Sequence, residues 1–109
     1  MLTIERTALF DKWLQTLKDT VGKHRIQARL DMLALGHWGD CKPVGEGVTE
    51  LRLHTGPDYR LYCWQDGAVI VVVLCAGDKA TQQRDIAAAQ LMAKLLKASD
   101  QPSTGKENK

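Results

Sequence analysis

The chain has no apolar run near the roughly 18 residues that a membrane-spanning helix needs, and its 109 residues reach Glu5 and Asp11 with no apolar stretch before them. That start does not read as a signal peptide, and the cytoplasm is the default expectation. Cysteine is scarce and odd in number: Cys41, Cys63 and Cys75 stand far apart with no Cys-x-x-Cys, and His24, His37 and His54 show no ligand spacing. A disulfide framework and a structural metal are therefore not expected, and Cys63 and Cys75 read as small apolar strand residues. An excess of one charge is also missing. Fifteen basic against thirteen acidic residues leave a net +2, so a nucleic-acid partner would have to be recognised by local clustering. Internal repeats and a second domain are absent too, and the length suits one core.

What the chain does have is a meander of three strands. Thr49–Thr55 alternates, with Leu51 and Leu53 on one side and Glu50, Arg52 and His54 on the other. Gly56-Pro57-Asp58 is turn chemistry. Tyr59–Gln65 alternates again, placing Leu61 and Cys63 opposite Arg60, Tyr62 and Trp64. Asp66-Gly67 marks a hairpin, and Ala68–Ala76 is apolar on both faces, as in a central strand. A three-residue turn at 56–58 predicts His54 opposite Arg60, Arg52 opposite Tyr62 and Leu53 opposite Leu61. One sheet face then gathers Arg52, His54, Arg60 and Tyr62, with Gly77-Asp78-Lys79 at the end of the third strand. Arginine offers planar, bidentate donors to phosphate, and His and Tyr can stack on a base or move a proton. A solvated strand face is the other reading.

Around the meander, Leu2–Glu5 reads as a short strand and Thr7 as the cap of a helix over 8–20, with Phe10, Trp13, Leu14, Leu17 and Val21 as its stripe and Gly22 as its stop. A second helix covers 23–35, with Ile26, Leu30, Leu33 and Ala34 inside and Gly36 at its end; the short link predicts a helical hairpin. Lys23, Arg25 and Arg29 fall on its outer side, exposed or in reach of a nucleic-acid backbone. Residues 37–47 are loop-rich, with Trp38 packed on the helices and Lys42 just before Pro43, which limits pairing. Thr81 can cap a last helix over 82–98 with Ile86, Leu91, Met92, Leu95 and Leu96 as its stripe; Gln82 and Arg84 at its start are exposed or meet RNA. Residues 1–98 form the one domain, and the polar tail 99–109 is expected to be disordered. The order gives an α+β class, with helices covering the leucine face of a curved sheet.

Four stretches in order, Thr3-Ile-Glu-Arg-Thr7, Lys42-Pro-Val-Gly-Glu-Gly-Val-Thr-Glu-Leu-Arg52, Gly56-Pro-Asp-Tyr-Arg-Leu-Tyr62 and Leu74-Cys-Ala-Gly-Asp-Lys-Ala-Thr-Gln82, resemble the HigB-like addiction-module killer proteins of the RelE/ParE toxin superfamily. The resemblance implies a RelE-like fold: an N-terminal helical hairpin, a curved antiparallel sheet of three to five strands and a C-terminal helix. It also implies the toxin of a bacterial type II toxin–antitoxin system. The antitoxin would carry an Xre-type helix-turn-helix domain, and operator DNA would be met only through it. The implied activity is ribosome-dependent cleavage of mRNA without a metal or other cofactor, by attack of a ribose 2′-hydroxyl on the adjacent phosphate. A ParE-like gyrase inhibitor and a silent, antitoxin-binding corepressor are the alternatives. Carried over by motif, Arg60 binds phosphate and transition-state charge, with Arg52 and Lys79 as further cations. His54 is the candidate base and Lys79 or Tyr62 the candidate acid; Lys42, Gln82, Arg84 and Arg29 are candidate RNA or ribosome contacts. No tyrosine follows Tyr62, and Asp85 lies near the position where the RelE archetype has one.

Overall fold

The computed structural model describes residues 1–99, so the tail assigned to 99–109 lies, but for Ser99, outside the described residues. The chain runs β1 (Thr3–Arg6), α1 (Ala8–Thr16), α2 (Thr20–Ala34), β2 (Cys41–Pro43), β3 (Val48–Leu53), β4 (Tyr59–Asp66), β5 (Ile70–Gly77), a 3-10 turn (Lys79–Thr81) and α3 (Gln82–Ser99). Five strands make one sheet in the order β1-β5-β4-β3-β2.

This corrects the expected RelE-like fold. The sheet is mixed, because β1 lies parallel to β5, with Thr3 beside Ile70 and Arg6 beside Val73. The chain opens on that strand, and the long α3 closes the described chain. The first two helices do not form the N-terminal hairpin either: α1 rests chiefly on β5 and α2 on β1. Consecutive strands announce their direction through turn residues. A strand paired across sixty-odd residues has no turn to read, so nothing local marked β1 as parallel.

The helix break also moved. Thr7 caps α1 as expected: its Oγ1 accepts from Phe10 N at 3.1 Å and donates to the Leu74 carbonyl at 2.6 Å. Helix α1 stops at Thr16, whose hydroxyl turns back to the Lys12 and Trp13 carbonyls. Asp19 then caps α2, accepting from Gly22 N at 2.9 Å and from the Tyr59 hydroxyl at 2.8 Å. Carboxylate capping outweighs glycine as a boundary signal here, so Gly22 sits inside α2, where Tyr59 of β4 leaves no room for a side chain. Before α3, Asp78 caps the 3-10 turn together with Thr81, its carboxylate accepting from Ala80 N and Thr81 N. The two form a capping box around the 3-10 turn that leads into α3.

The β3–β4 register is slipped by two from the expected one. Leu53 pairs with Tyr59, Arg52 with Arg60, Leu51 with Leu61 and Glu50 with Tyr62. The loop is five residues long, 54–58, with Gly56 and Asp58 at positive φ and Asp58 N donating to the Thr55 carbonyl. Because the slip is even, each side chain keeps its face while changing its partner.

Both faces of the sheet are covered. Leu51, Leu53, Tyr59, Leu61, Cys63, Val71 and Val73 pack against Phe10 of α1 and Ile26, Leu30 and Leu33 of α2. The opposite face, read from sequence as polar, carries a second core. Val48, Tyr62, Trp64, Leu74 and Cys75 meet Ala89 and Ala93 of α3. A bulge opposite Tyr62 and Cys63 lets Leu74 and Cys75 both face α3. The deepest residues of α3 are Asp85, Ala89 and Ala93; Ile86, Met92 and Leu96 of the expected stripe pack around this second core, while Leu91 and Leu95 are exposed. No helix among the described residues is long and apolar enough to cross a membrane.

Candidate functional site

Residues directly paired across strands share a face, so the register writes the site out in rows. One row on the α3 side runs Lys42, Glu50, Tyr62, Cys75 across β2, β3, β4 and β5. The next runs Arg52, Arg60, Gly77. The start of α3 lies over them and sends Gln82 down onto the first row.

Glu50 is the hub. It is fully buried at 0% exposure. Its Oε2 accepts from the Tyr62 hydroxyl at 3.0 Å and from Gln82 Nε2 at 2.8 Å. Its Oε1 lies 3.5 Å from Arg52 Nε without a hydrogen bond. Burial, then the Glu50 charge and hydrogen bond, push the Tyr62 phenol far above its ordinary pKa of 10, so it stays a neutral donor to Glu50. Arg60 is only 7% exposed, and its Nε has no hydrogen-bond partner. Among the described residues, no carboxylate forms an ion pair with it. Its nearest cross-strand neighbours are Gly77, which has no side chain, and another cation, Arg52. A buried guanidinium in such company lacks an anion.

The remaining sequence candidates are placed around this pair of rows. Lys42 ends the first row and is exposed. His54 leaves the sheet into the 54–58 loop. There Nε2 meets Asp40 Oδ2 at 2.8 Å and Nδ1 lies 3.7 Å from Asp58 Oδ1. Asp40 is held below the usual carboxylate range, first by that bond to His54 and then by the charge of Arg52. Lys79 is exposed in the 3-10 turn, its backbone N–H 3.4 Å from the Pro57 carbonyl of the same loop. Arg84 lies on Asp85 at 3.3 Å. Arg29 is spent on backbone: it donates to the carbonyls of Trp38, Asp40 and Arg52 at 2.7–3.2 Å. The fold thus gathers Arg52, Arg60, Tyr62, Gln82 and Lys42. It sets His54 and Lys79 beside one loop and keeps Arg29 on the α2 side.

Sequence reasoning undervalued three acids. Alternation puts Glu50 on the polar side of β3, but the two-residue slip hides its place opposite Tyr62. Asp40 drew no notice, since its partner His54 is fourteen residues away. Asp85 is buried and bonded to Thr81 Oγ1 at 2.5 Å. Its carboxylate fills the space where a Cβ on Gly77 would stand. Among the described residues, no three His, Cys, Asp or Glu side chains meet as metal ligands would.

Two comparisons bear on identity. A family model described as phage-derived protein Gp49-like (DUF891) matches residues 12–97. A protein of Haemophilus influenzae, itself described only as uncharacterised, is 43% identical over 95 residues, covering 87% of this chain and 96% of the relative. Neither names the HigB-like proteins whose motifs the sequence resembles. The toxin–antitoxin association is the common ground. With most of its length matched on both counts, the chain belongs to the phage-derived Gp49-like (DUF891) family, a family of toxin–antitoxin-associated proteins.

Proposed function

We propose that the protein is the HigB-like toxin of a type II pair, a ribosome-dependent mRNA endoribonuclease acting in the cytoplasm. The observation that carries this reading is Arg60, a buried guanidinium with no carboxylate partner among the described residues, paired across strands with Arg52 on the face where α3 begins. A phosphodiester is the anion that such a pair suits, since each arginine can present two donors in one plane.

In the proposed reaction, the ribose 2′-oxygen attacks the neighbouring phosphorus and the bond to the 5′-oxygen breaks, leaving a 2′,3′-cyclic phosphate and a 5′-hydroxyl. Arg60 and Arg52 stabilise the charge that accumulates on the phosphoryl oxygens. His54, oriented by Asp40, takes the 2′-hydroxyl proton. Lys79 returns a proton to the leaving 5′-oxygen. Both flank the same loop, at Asp58 and Pro57 respectively. Tyr62, whose proton is committed to Glu50, holds that carboxylate in place instead of acting as the acid. Lys42 at the open end of its row contacts the RNA backbone, and Gln82 supports Glu50. The antitoxin, with an Xre-type helix-turn-helix domain, brings the complex to operator DNA.

The test is primer extension on a reporter message in a reconstituted translation system, with and without ribosomes. Breaks that need ribosomes, and that disappear with Arg60→Ala, are the expected result. An uncut message with folded protein overturns the reading, and a gyrase supercoiling assay then follows.

A further inference from the structure

We propose that the outer face of α3 is the contact surface of a two-fold homodimer, in which α3 packs antiparallel against α3 of a second copy. The inference does not depend on the activity proposed above.

Helix α3 is seated on the sheet through Asp85, Ala89 and Ala93. A different side of it carries Arg84, Ala88, Leu91 and Leu95, which follow one another at spacings of four, three and four and so form a single stripe. All four are exposed, Leu91 at 59% and Leu95 at 61%. Single exposed apolar residues are ordinary, but a helical stripe of them marks an interaction face. Beside the first half of the stripe lies a hollow of about 300 Å³ between α1 and α3, with Leu9 and Trp13, Cys75 of β5, and Arg84, Asp85 and Ala88 in its walls. The stripe is therefore uneven: small and hollowed towards its start, large towards its end.

That unevenness selects the occupant. Laying one stripe head to tail on another sets Leu91 over Ala88 of the second copy and Leu95 over its Arg84. A side chain placed opposite residue 84 enters the space among residues 81, 84, 85 and 88, and three of these line the hollow. Each leucine thus meets a hole in place of another leucine. A parallel pairing would stack Leu91 on Leu91 and leave both hollows empty.

The charges agree. Arg84 lies 3.3 Å from Asp85 and Lys94 3.8 Å from Glu46, so the rim is neutralised within the chain and has no need of an oppositely charged partner. Antiparallel packing puts Lys94 beside Ala87 of the second copy, away from the other Lys94. It also lays the exposed Arg84 along the last turn of the second α3, the end of a helix that favours a cation. The two first turns fall at opposite ends of the pair, which leaves both sets of charged rows open. One helix on one helix over about 17 Å is a small interface. The pair should form in the micromolar range, and the dilute chain should be monomeric.

The test is sedimentation equilibrium of the full chain from about 1 to about 300 µM, where monomer and dimer in exchange are expected. Leu95→Lys sets a cation against Arg84 and Ala88→Leu fills the hole, so each should raise the dissociation constant at least about tenfold. Both positions are exposed, so the circular dichroism and stability of the dilute monomer should not change. Met32→Glu, on α2, should leave the constant as it is. Direction is read by oxidative cross-linking with Cys41 replaced by Ser: Ala87→Cys mixed with Lys94→Cys should link, and neither should link alone. A chain that stays monomeric at the top of the range overturns the proposal. So does a dimer that ignores Leu95→Lys or that Met32→Glu dissolves. A Lys94→Cys chain that links to itself as fast as the mixture overturns the antiparallel pairing, and the proposal with it.

Discussion

At the scale of single residues, the site is defined by which charges have partners. Arg60 is buried without an ion pair among the described residues, while Glu50, one row away, is shared by Tyr62, Gln82 and the flank of Arg52. These two residues should therefore answer substitution in opposite ways. Replacing Arg60 by Met removes a desolvated, unpaired charge and keeps the stem volume. Urea unfolding should show stability unchanged or raised, while message cleavage falls by about 100-fold or more. Arg60→Lys keeps the charge but not the planar fork and should recover only part of the activity. A large fall in stability with Arg60→Met would mean that an unseen partner holds the guanidinium. Glu50→Ala strips the buried Tyr62 hydroxyl and the half-buried Gln82 amide of their acceptor and leaves Arg52 and Arg60 facing each other with no neighbouring carboxylate. It should cost about 2–4 kcal/mol, read from the shift in urea midpoint.

At the scale of elements, Asp19 does more than any glycine to fix where α2 begins. One carboxylate oxygen caps the helix and the other holds Tyr59 of β4, which Trp13 of α1 meets edge-on. Gly22 is the space this junction needs: a Cβ there would lie 2.6 Å from Asp19 Oδ2 and 2.7 Å from the Tyr59 ring. Gly22→Ala should thus destabilise by about 1–3 kcal/mol in thermal or urea unfolding, against the roughly 1 kcal/mol gain typical of an open helix. The junction also sets an acid limit. Asp19 is held below the ordinary 3.8, first by the Gly22 N–H and then by the Tyr59 hydroxyl, and Asp40 is lowered first by His54. A carboxylate depressed in the folded state contributes its full share above its unfolded pKa and loses it as pH falls through the folded value. Stability should be level above about pH 5 and decline below about pH 4, and Asp19→Asn should flatten that decline. What the sequence made legible follows the same scale. Alternation found β3 and β4, and the doubly apolar run found β5, because those signals lie within a strand. The two-residue slip escaped because it leaves alternation intact, and Glu50 went unrecognised with it. The parallel β1 and the seating of α3 on the polar face are settled by contacts far apart in sequence, where periodicity carries no information.

At the scale of the whole molecule, the sheet is a partition with a different task on each side. Helices α1 and α2 close the leucine face, and α3 closes the other only in part. Its alanines seat it on Leu74, Cys75 and Trp64, while its first turn ends above the charged rows. Arg52 stands at the margin where the α3 face meets a hollow beside α2. The depth at which α3 sits should then control the site from a distance. Ala89 and Ala93 are fully buried against the sheet, one turn apart, so a larger side chain at either must lift the helix. Ala89→Leu should cost about 1–3 kcal/mol of stability through overpacking. It should also draw Gln82 away from Glu50 and lower message cleavage beyond what the lost stability explains. The same change at the exposed neighbour Ala88 should leave both untouched. The measurement pairs urea unfolding with single-turnover cleavage for the two variants under conditions where both are fully folded. If folded Ala89→Leu cuts at the wild-type rate, the first turn of α3 is only a boundary of the site. If it is slow while Ala88→Leu is not, the helix that completes the second core also sets the geometry over Glu50.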